Sequence, residues 1–352
     1  MIREAIANLV ELKDLTRMQT EVVMQEIMEG KTTSVQIATF LTALRMKGEA
    51  VEEITSLARV MRKYCRQIHP KVAGNLLDTC GTGGDQIKTF NISTTSAFVI
   101  AGAGIPVAKH GNRSVTSRCG SADVLEALGF RLDTPVEMVE KSIEEVGIGF
   151  MFAPTFHPAM KHAIEARREI GIRTVFNTLG PLTNPANTTS QLLGVYGDFL
   201  TKPLAKVLLN LGASHAMVVH GLDGLDEIST IGKTKVSWLK DGEISNFIIA
   251  PEDFGIERAN PEMLQGSTPQ ESAVTTFKVI SGRYSRKDPK RSIVQLNAAA
   301  GMVVGGKVDN LEEGLALANQ SIESGAAYNK LTSLIKFTVG DASRLEELER
   351  IV

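Results

Sequence analysis

The sequence predicts an α/β fold in which a small all-helical N-terminal domain accompanies a large α/β domain with a mainly parallel central sheet. Two observations carry this prediction. Residues 1–68 space their apolar side chains as helices do, and glycine is scarce there, with only Gly30 and Gly48 present. From residue 75 onward, short apolar runs alternate with longer amphipathic ones, which is typical of parallel βαβ units.

The helical domain can be followed from its capping residues. Thr33 and Ser34 are residue types that cap helix N-termini, so residues 35–47 are predicted to form a helix that ends at Gly48. Residues 51–68 carry apolar side chains at helical spacing and predict the next helix. We interpret this region as a packing or dimerisation unit rather than a catalytic one.

The larger domain alternates strands and helices. The segments predicted there are residues 76–79, 92–103, 105–108, 122–128, 136–146, 192–196, 204–211 and 216–220. An Asp-Gly pair at 241–242, between apolar runs at 235–239 and 244–249, predicts a β-hairpin. Past residue 276 helices dominate again, including residues 292–304 and 311–321.

Residues 171–189 separate the two halves of the α/β domain. They contain the turn formers GPLTNP at 180–185, and a rigid loop here would join the body to the helical domain a second time. We therefore predict a helical domain of residues 1–68, completed by about 171–189. The α/β domain would then comprise residues 69–170 and 190–352.

Composition narrows the classes of function. The chain of 352 residues has a formal net charge of −2, whereas a dedicated duplex-DNA binder is usually basic. The longest uncharged apolar stretch, residues 96–108, is too short to span a bilayer. Cys65, Cys80 and Cys119 form no C-x-x-C pair and fit a reducing compartment. We predict a cytoplasmic protein with no nucleic-acid partner and no membrane partner.

A glycine-rich turn after the first predicted strand is a candidate phosphate site. Residues 81–85 read GTGGD, and glycines let the backbone approach a ligand closely. Successive N–H groups in such a turn bind anions, and the helix that opens at 91–95 (NISTT) offers its N-terminus to phosphate. Neither a Walker loop nor G-x-G-x-x-G is present. A purely structural turn is the alternative.

A basic segment follows the second predicted strand. Residues 109–113 read KHGNR, and strand ends in parallel sheets face the ligand crevice. Residues 86–120 include no acid and four basic residues, which are Lys88, Lys109, Arg113 and Arg118. We expect a local positive field that suits a polyanionic small molecule, with a solvated charged loop as the alternative. Residues 117–121 (SRCGS) precede a further helix and are a second candidate phosphate site.

Asp226 and Glu227 follow a strongly apolar strand. Adjacent carboxylates in a crevice repel each other unless a cation lies near them, and hard oxygen ligands suit Mg²⁺. An exposed acidic turn is the alternative. Arg167 lies on the amphipathic segment 157–170 and has the group that clamps a carboxylate, although most helix arginines face water. The histidine spacing matches no zinc motif, and no Ser-His-Asp triad can be argued.

These motifs, in this order, resemble the anthranilate phosphoribosyltransferase family of tryptophan biosynthesis. The motifs are residues 81–85, 91–94, 109–113 and 180–185 together with Asp226-Glu227. The resemblance runs over essentially the whole chain. It implies the nucleoside phosphorylase-type phosphoribosyltransferase fold and a homodimer formed through the helical domain. It also implies transfer of the 5-phosphoribosyl group from 5-phospho-α-D-ribose 1-diphosphate (PRPP) to the amino group of anthranilate, with release of diphosphate.

The resemblance also implies a role for individual residues. PRPP would be held by Gly81, Gly83, Gly84, Asp85, Thr89, Asn91, Ser93, Thr94, Lys109, His110, Gly111 and Ser121. Anthranilate would contact Gly81, His110, Asn112, Arg167 and Pro181, and the Mg²⁺ ligands would be Ser93, Asp226 and Glu227, with two ions per monomer. No dedicated general base is identified, because the attacking aromatic amine already has a free lone pair. Gln86 departs from the glycine expected after GTGGD, which puts the motion of that loop in question.

Two other functions stay open as alternatives. A pyrimidine nucleoside phosphorylase shares the fold and a similar Lys-His-Gly/Ser loop, but it uses inorganic phosphate and no Mg²⁺. The Asp226-Glu227 pair and residues 180–185 disfavour it. A related scaffold that has lost catalysis and binds nucleic acid would lack the acidic pair and would carry excess basic charge.

Overall fold

A computed structural model describes residues 1–85, 87–114, 119–266 and 268–352. The chain opens with the helices α1 (Ile2–Val10), α2 (Arg17–Met28), α3 (Ser34–Lys47) and α4 (Val51–Lys63). Thr33 caps α3 in a capping box with Gln36, and the helix ends at Gly48, as predicted. The helix expected over 51–68 ends at Lys63, because backbone N–H groups beyond it bond to carbonyls outside the helix. The N–H of Arg66 bonds Phe156, and that of Ile68 bonds Pro185.

A buried ion pair ties the first four helices together. Lys47 Nζ lies 2.8 Å from Glu53 Oε2 and 2.5 Å from Asp14 Oδ1, and the Lys47 and Glu53 side chains are 4% and 0% exposed. Glu53 also accepts the N–H of Leu15 at 2.9 Å and that of Ala50 at 2.7 Å. Burial lowers the pKa of Lys47, but its hydrogen bonds to Asp14 and Glu53 outweigh this and raise the pKa overall. The Glu53 carboxylate thus fixes both the connection between α1 and α2 and the connection between α3 and α4.

The α/β part is built on one seven-stranded sheet. Its strands are β1 (Leu77–Gly81), β2 (Val107–Gly111), β3 (Ile148–Phe152), β4 (Ser190–Gly194), β5 (His215–Gly221), β6 (Thr234–Lys240) and β7 (Glu243–Ile249). Their order is β3-β2-β1-β4-β5-β6-β7. The first five pair in parallel, and β6 and β7 add antiparallel. The mainly parallel sheet of the predicted fold class is confirmed.

Helices surround this sheet. They are α5 (Ile92–Gly102), α6 (Ser121–Ala127), α7 (Val136–Glu145), α8 (Ala153–Phe156), α9 (Lys161–Ile170), α10 (Val175–Leu182), α11 (Thr201–Asn210), α12 (Pro261–Leu264), α13 (Pro269–Ile280), α14 (Pro289–Val304), α15 (Leu311–Glu323), α16 (Ala326–Phe337) and α17 (Ser343–Ile351). The helix α14 is buried along nearly its whole length and packs against α5 and α15. The described residues include no helix long and apolar enough to cross a membrane.

Two local features test the strand predictions. The hairpin between β6 and β7 forms as predicted, because Asp241 and Gly242 have φ of +51° and +85° and so build a tight two-residue turn. The strand β3 is absent from the predicted segments. Its sequence, IGFMF, follows α7 after a short gap, and periodicity alone does not separate a short apolar run from a continuing helix.

The segment between the two halves of the sheet returns to the helical region. The helix α9 packs on α2 and α3, and α10 packs on α3 and α4. Residues 180–182, expected in a rigid loop, instead form the last turn of α10 with Pro181 inside it. Asn184 then anchors the segment to the sheet, since its amide donates to Asp78 Oδ2 and to the carbonyl of Ala108, both at 2.8 Å.

Replacing Glu53 should destabilise the helical region strongly. In Glu53→Ala, Lys47 loses its buried partner and two backbone N–H groups lose their acceptor. We expect the free energy of unfolding in urea to fall by about 3–5 kcal/mol. The matched control is Glu52→Ala, which removes a side chain that is 49% exposed and pairs with Arg59. A change of about 1 kcal/mol or less is expected there. Equal losses for the two variants would contradict the role of Glu53.

Candidate active site

The candidate site lies where the central parallel strands end. Gly81 and Gly194 are register partners at the carboxyl ends of β1 and β4, and Gly111 ends the neighbouring β2. In parallel α/β sheets, ligands bind outside the carboxyl ends of the strands. The glycine-rich turn, the basic segment and the acidic pair of the sequence therefore meet at one edge of the sheet.

Asp226 and Glu227 occupy a niche made by glycines. A Cβ atom on Gly194 would lie 1.6 Å from the backbone oxygen of Asp226, and one on Gly81 would lie 2.5 Å from its Oδ2. The Gly83 N–H donates to Asp226 Oδ2 at 2.8 Å, and the Ser93 N–H donates to Glu227 Oε1 at 3.2 Å. Glycine at the two strand ends is therefore required for the acidic pair to enter the site.

The two buried carboxylates of Asp226 and Glu227 have too little positive charge near them to balance their own. Each side chain is 8% exposed. Burial raises the pKa of Asp226 to about 6, and the charge of Asp85 adds to this rise. Burial and the neighbouring Asp226 carboxylate raise the pKa of Glu227 well above its ordinary value, although the charge of Lys109 opposes the shift. A divalent cation would offset both the cost of burying these charges and their mutual repulsion.

The donor set fits Mg²⁺. Two adjacent carboxylates each have one oxygen held by a backbone N–H, and Ser93 stands at the N-terminus of α5 beside Glu227. Within the described residues, no three His, Cys, Asp or Glu side chains are arranged to hold a metal ion. Mg²⁺ commonly takes one or two carboxylates and completes its shell with water and substrate oxygens. The residues present thus suit a cation that arrives with a phosphorylated ligand.

Lys109 binds the strand ends together rather than projecting outward. It is 4% exposed, and its Nζ donates to the Thr79 carbonyl at 2.6 Å and to Ser93 Oγ at 3.4 Å. Burial lowers the pKa of Lys109 overall, although the nearby Asp78 and Glu227 oppose the shift. Lys109 thus places a positive charge behind the helix start that is predicted to hold phosphate.

The remaining residues assigned to PRPP flank this edge. The Asp85 carboxylate accepts the Thr89 N–H at 2.8 Å and shapes the loop between β1 and α5. The amide of Asn91 donates to the Cys119 carbonyl, while its buried Oδ1 has no partner among the described residues. The Ser121 hydroxyl donates to the Asn112 carbonyl at 3.3 Å and sits against Gly111, and Thr94 lies buried in the first turn of α5.

Two buried histidines lie side by side. The rings of His110 and His157 are 5.0 Å apart, and neither Nε2 has a hydrogen-bond partner among the described residues. Burial lowers the pKa of His110 to about 3 and that of His157 to about 4, so both are neutral near pH 7. Buried polar atoms are normally paired, so these two nitrogens remain available to a ligand or a water molecule.

Arg167 lies on α9, and Pro181 lies on α10 next to Gly180, whose backbone hydrogen-bonds to His110. The Arg167 guanidinium stacks 5.1 Å above the Phe176 ring, and burial lowers its pKa. No carboxylate in the described part of the chain pairs with it. Pro181 is buried, and its carbonyl accepts from Gln191 Nε2 at 2.6 Å, which links α10 to β4. The structure does not bring Arg167 into hydrogen-bond contact with the strand-end residues.

The expected positive field is weaker than the sequence predicts. Arg113 pairs with Asp123 at 2.9 Å and with Glu126 at 2.7 Å, both on α6 just beyond the acid-free window. Hydrogen bonds to these acids raise its pKa, so Arg113 is not a free donor for a ligand. Ser117 and Arg118 of the second phosphate site, and Gln86, lie outside the described residues.

Three residues of the site were missed by sequence reasoning. Asp78 is fully buried in β1, accepts the His110 N–H at 3.3 Å, and has its pKa raised to about 6 by burial. His157 joins His110, and Arg173 donates to the Gly84 carbonyl at 2.7 Å. An aspartate inside an apolar strand was the available signal for Asp78, since a buried charge needs partners. Nothing local marked the other two.

The chain matches two family models over most of its length. The helical bundle domain of a glycosyl transferase family matches residues 3–65, and the a/b domain of that family matches residues 73–328. The chain is 51% identical over 338 residues to the anthranilate phosphoribosyltransferase of Desulfosudis oleivorans. The match covers 96% of this chain and 99% of the relative.

Solved structures give the same result. The crystal structure of anthranilate phosphoribosyltransferase from Thermus thermophilus has a TM-score of 0.89 at 41% identity, covering 95% of this chain and 99% of that one. The enzyme from Saccharomyces cerevisiae in complex with PRPP and Mg has a TM-score of 0.88 at 29% identity, covering 96% and 98%. The same yeast protein has also been solved in complex with 4-fluoroanthranilate.

Protons should compete with Mg²⁺ for the acidic pair. The pKa of Asp226 is raised to about 6, so its protonated form dominates below that pH and excludes the cation. We expect Mg²⁺ affinity, measured by calorimetry, to fall as pH drops through about 6, by roughly tenfold per pH unit for each proton displaced. An affinity that stays constant from pH 5 to pH 8 would contradict a cation site on these carboxylates.

The glycine niche can be tested at Gly194. In Gly194→Ala, the new Cβ would displace the Asp226 backbone, so we expect Mg²⁺ binding to be lost while the far-ultraviolet circular dichroism stays native. The control is Gly242→Ala in the hairpin turn, where nothing lies within 4 Å of a Cβ. Its positive φ should cost about 1–2 kcal/mol of stability without affecting Mg²⁺. Native Mg²⁺ affinity in Gly194→Ala would show that the niche is not required.

Proposed function

The chain belongs to the anthranilate phosphoribosyltransferase family, and we propose that the strand-end site carries out the reaction of this family. The enzyme transfers the 5-phosphoribosyl group of PRPP to the amino group of anthranilate in tryptophan biosynthesis. The observation that supports the site assignment is the buried Asp226-Glu227 pair beside a glycine-rich loop. This pair requires a cation, and the loop offers N–H groups to an anion.

PRPP is held by the residues that surround the acidic pair. The loop at 81–85, the start of α5 from Asn91 to Thr94, Lys109 to Gly111 and Ser121 form its cradle, with Thr89 closing the loop. Asp226, Glu227 and Ser93 would hold Mg²⁺, two ions per monomer, and the bound cation would supply positive charge for the leaving diphosphate. The N–H groups of Thr82, Gly83 and Ser93 already bind protein acceptors. Those of Gly84 and Asp85, which bond to no other described residue, would therefore meet the same charge beside the N-terminus of α5.

Anthranilate approaches from the side of α9 and α10. Arg167 has no carboxylate partner among the described residues, and it clamps the anthranilate carboxylate together with Asn112. Gly81, His110 and Pro181 line the path. His110 is neutral near pH 7, so it does not compete with Arg167 for the anthranilate carboxylate as a second cation.

The bond changes need no strong base. The amine nitrogen attacks C1 of the ribose, and the C1–oxygen bond to diphosphate breaks with its electron pair leaving on the diphosphate. The ribose passes through an oxocarbenium-like state, as in other glycosyl transfers. The nitrogen then loses one proton to solvent. Holding the two substrates in line supplies much of the rate.

We further infer the assembly and the domain division. A helical cap comprises residues 1–68 and about 171–189, and residues 69–170 with 190–352 form the body. Five strongly exposed apolar side chains lie on the first helices and their connections: Val10, Leu12, Met18, Val35 and Met46. Their exposure supports a homodimer formed through the helical domain. The enzyme acts in the cytoplasm, and its ligands are small molecules rather than nucleic acid or membrane.

A fluorescence assay tests the function directly. Loss of anthranilate fluorescence should require PRPP and Mg²⁺ together, and the variant Asp226→Asn/Glu227→Gln should abolish it. Omitting PRPP is the control. Phosphorolysis of thymidine or uridine without PRPP turnover would instead favour a nucleoside phosphorylase. Tight, salt-sensitive DNA binding with no PRPP consumption would favour a noncatalytic scaffold.

Arg167→Ala should separate the two substrates kinetically. It removes charge-assisted hydrogen bonds to the anthranilate carboxylate, which contribute about 1.5–3 kcal/mol, so KM for anthranilate should rise roughly tenfold to a hundredfold. KM for PRPP should change little. Arg168→Ala, an exposed neighbour on the same helix, is the matched control. An equal rise in both KM values would rule out the clamp.

A further inference from the structure

The loop between β1 and α5 is held from outside by residues on three other segments. The Thr82 N–H donates to the Gly194 carbonyl at 2.9 Å, and the Tyr196 N–H donates to Thr82 Oγ1 at 3.0 Å. Gly83 is bound by Asp226, and the Gly84 carbonyl accepts from Arg173 Nη2 at 2.7 Å. Of these contacts, only the one at Gly84 comes from the segment that joins α9 to α10.

Arg173 is itself fixed in place. Its guanidinium stacks 4.5 Å from the centre of the Tyr196 ring, the geometry of a cation–π contact. Tyr196 follows β4 and lies beside Arg45 of α3. A continuous chain of contacts therefore runs from the helical region through Tyr196 and Arg173 to the glycine-rich loop.

Gly84 and Arg173 fit each other closely. Gly84 has φ of +85°, and a Cβ there would lie 1.5 Å from Arg173 Nη2. In a trans peptide the carbonyl and the following N–H point in opposite directions. The bond from Arg173 to the Gly84 carbonyl therefore aims the Asp85 N–H away from the guanidinium. The orientation of a loop N–H group is thus set by a side chain from outside the loop.

We propose that Arg173, seated on Tyr196, is a positioning residue that holds the glycine-rich loop in the shape that binds the diphosphate of PRPP. This inference rests on the proposed function. Arg173 acts through the loop rather than on the acceptor substrate. Its guanidinium also lies near enough to Asp226 to act on it electrostatically, so it adds positive charge at the edge where a polyanion binds.

Kinetics of Arg173 variants test the inference. In Arg173→Ala, KM for PRPP should rise about tenfold to a hundredfold, the effect of losing a hydrogen bond from a charged donor. KM for anthranilate should stay within roughly twofold, because the proposed anthranilate contacts do not include Arg173. Arg173→Lys keeps the charge but loses the planar stacking group, so it should fall between Arg173→Ala and wild type. Arg168→Ala is the matched control.

Two further measurements exclude a merely structural role. Millimolar guanidinium ion, below denaturing concentrations, should restore part of the PRPP affinity of Arg173→Ala. It should not restore that of Tyr196→Leu, which keeps Arg173 but removes its platform. The double variant should be no worse than the worse single variant, since both changes remove one interaction. Thermal melts accompany each variant, and Arg173→Lys serves if Arg173→Ala does not fold.

The outcomes are distinct. Equal increases in both KM values, a fall in kcat that tracks the melting temperature, or absence of guanidinium rescue would overturn the role of Arg173. If the wild type does not consume anthranilate and PRPP, the proposed function fails first. PRPP binding by calorimetry then tests Arg173 alone, and unchanged affinity in Arg173→Ala would overturn it.

Discussion

Two buried carboxylates with too little positive charge around them determine the arrangement of the strand ends. Burying a charge costs several kcal/mol unless it is compensated, and each N–H bond to Asp226 or Glu227 returns about 1.5–3 kcal/mol at most. Glycines at 81 and 194 open the space, Gly83 and Ser93 supply the N–H groups, and Lys109 adds one charge nearby. The remaining imbalance of charge favours the binding of a cation.

The side formed by α9 and α10, where we propose that anthranilate binds, has a different charge distribution. His110 and His157 are neutral and keep unpaired nitrogens, while Arg167 is stacked on Phe176 and has no carboxylate among the described residues. Arg167 is half-buried, and a ligand carboxylate would offset the cost of leaving its charge without a partner there. In the proposed function, a polyanion and its cation would bind at the strand ends and a monoanion at the helices, so that like charges stay apart.

Much of this architecture was readable from the sequence because it rests on local signals. The Thr33 cap, the Asp241-Gly242 hairpin and the start of α5 are set by residues adjacent in the chain. The strand β3 was missed because a short apolar run beside a helix has no period of its own. Arg113 was interpreted as an unpaired cation because its partners, Asp123 and Glu126, lie beyond the acid-free segment 86–120. Arg173 was missed because Gly84, its hydrogen-bond partner, is distant in sequence. Site contacts of this kind depend on tertiary packing.

The most direct test of the account is to locate the cation. Crystals grown with PRPP and Mn²⁺ in place of Mg²⁺ would reveal the ion by its anomalous scattering. We predict anomalous density for the ion beside the Asp226 and Glu227 carboxylates and the phosphate oxygens. Mn²⁺ bound only by the diphosphate, with both carboxylates unligated and PRPP still in place, would contradict the central role of the acidic pair.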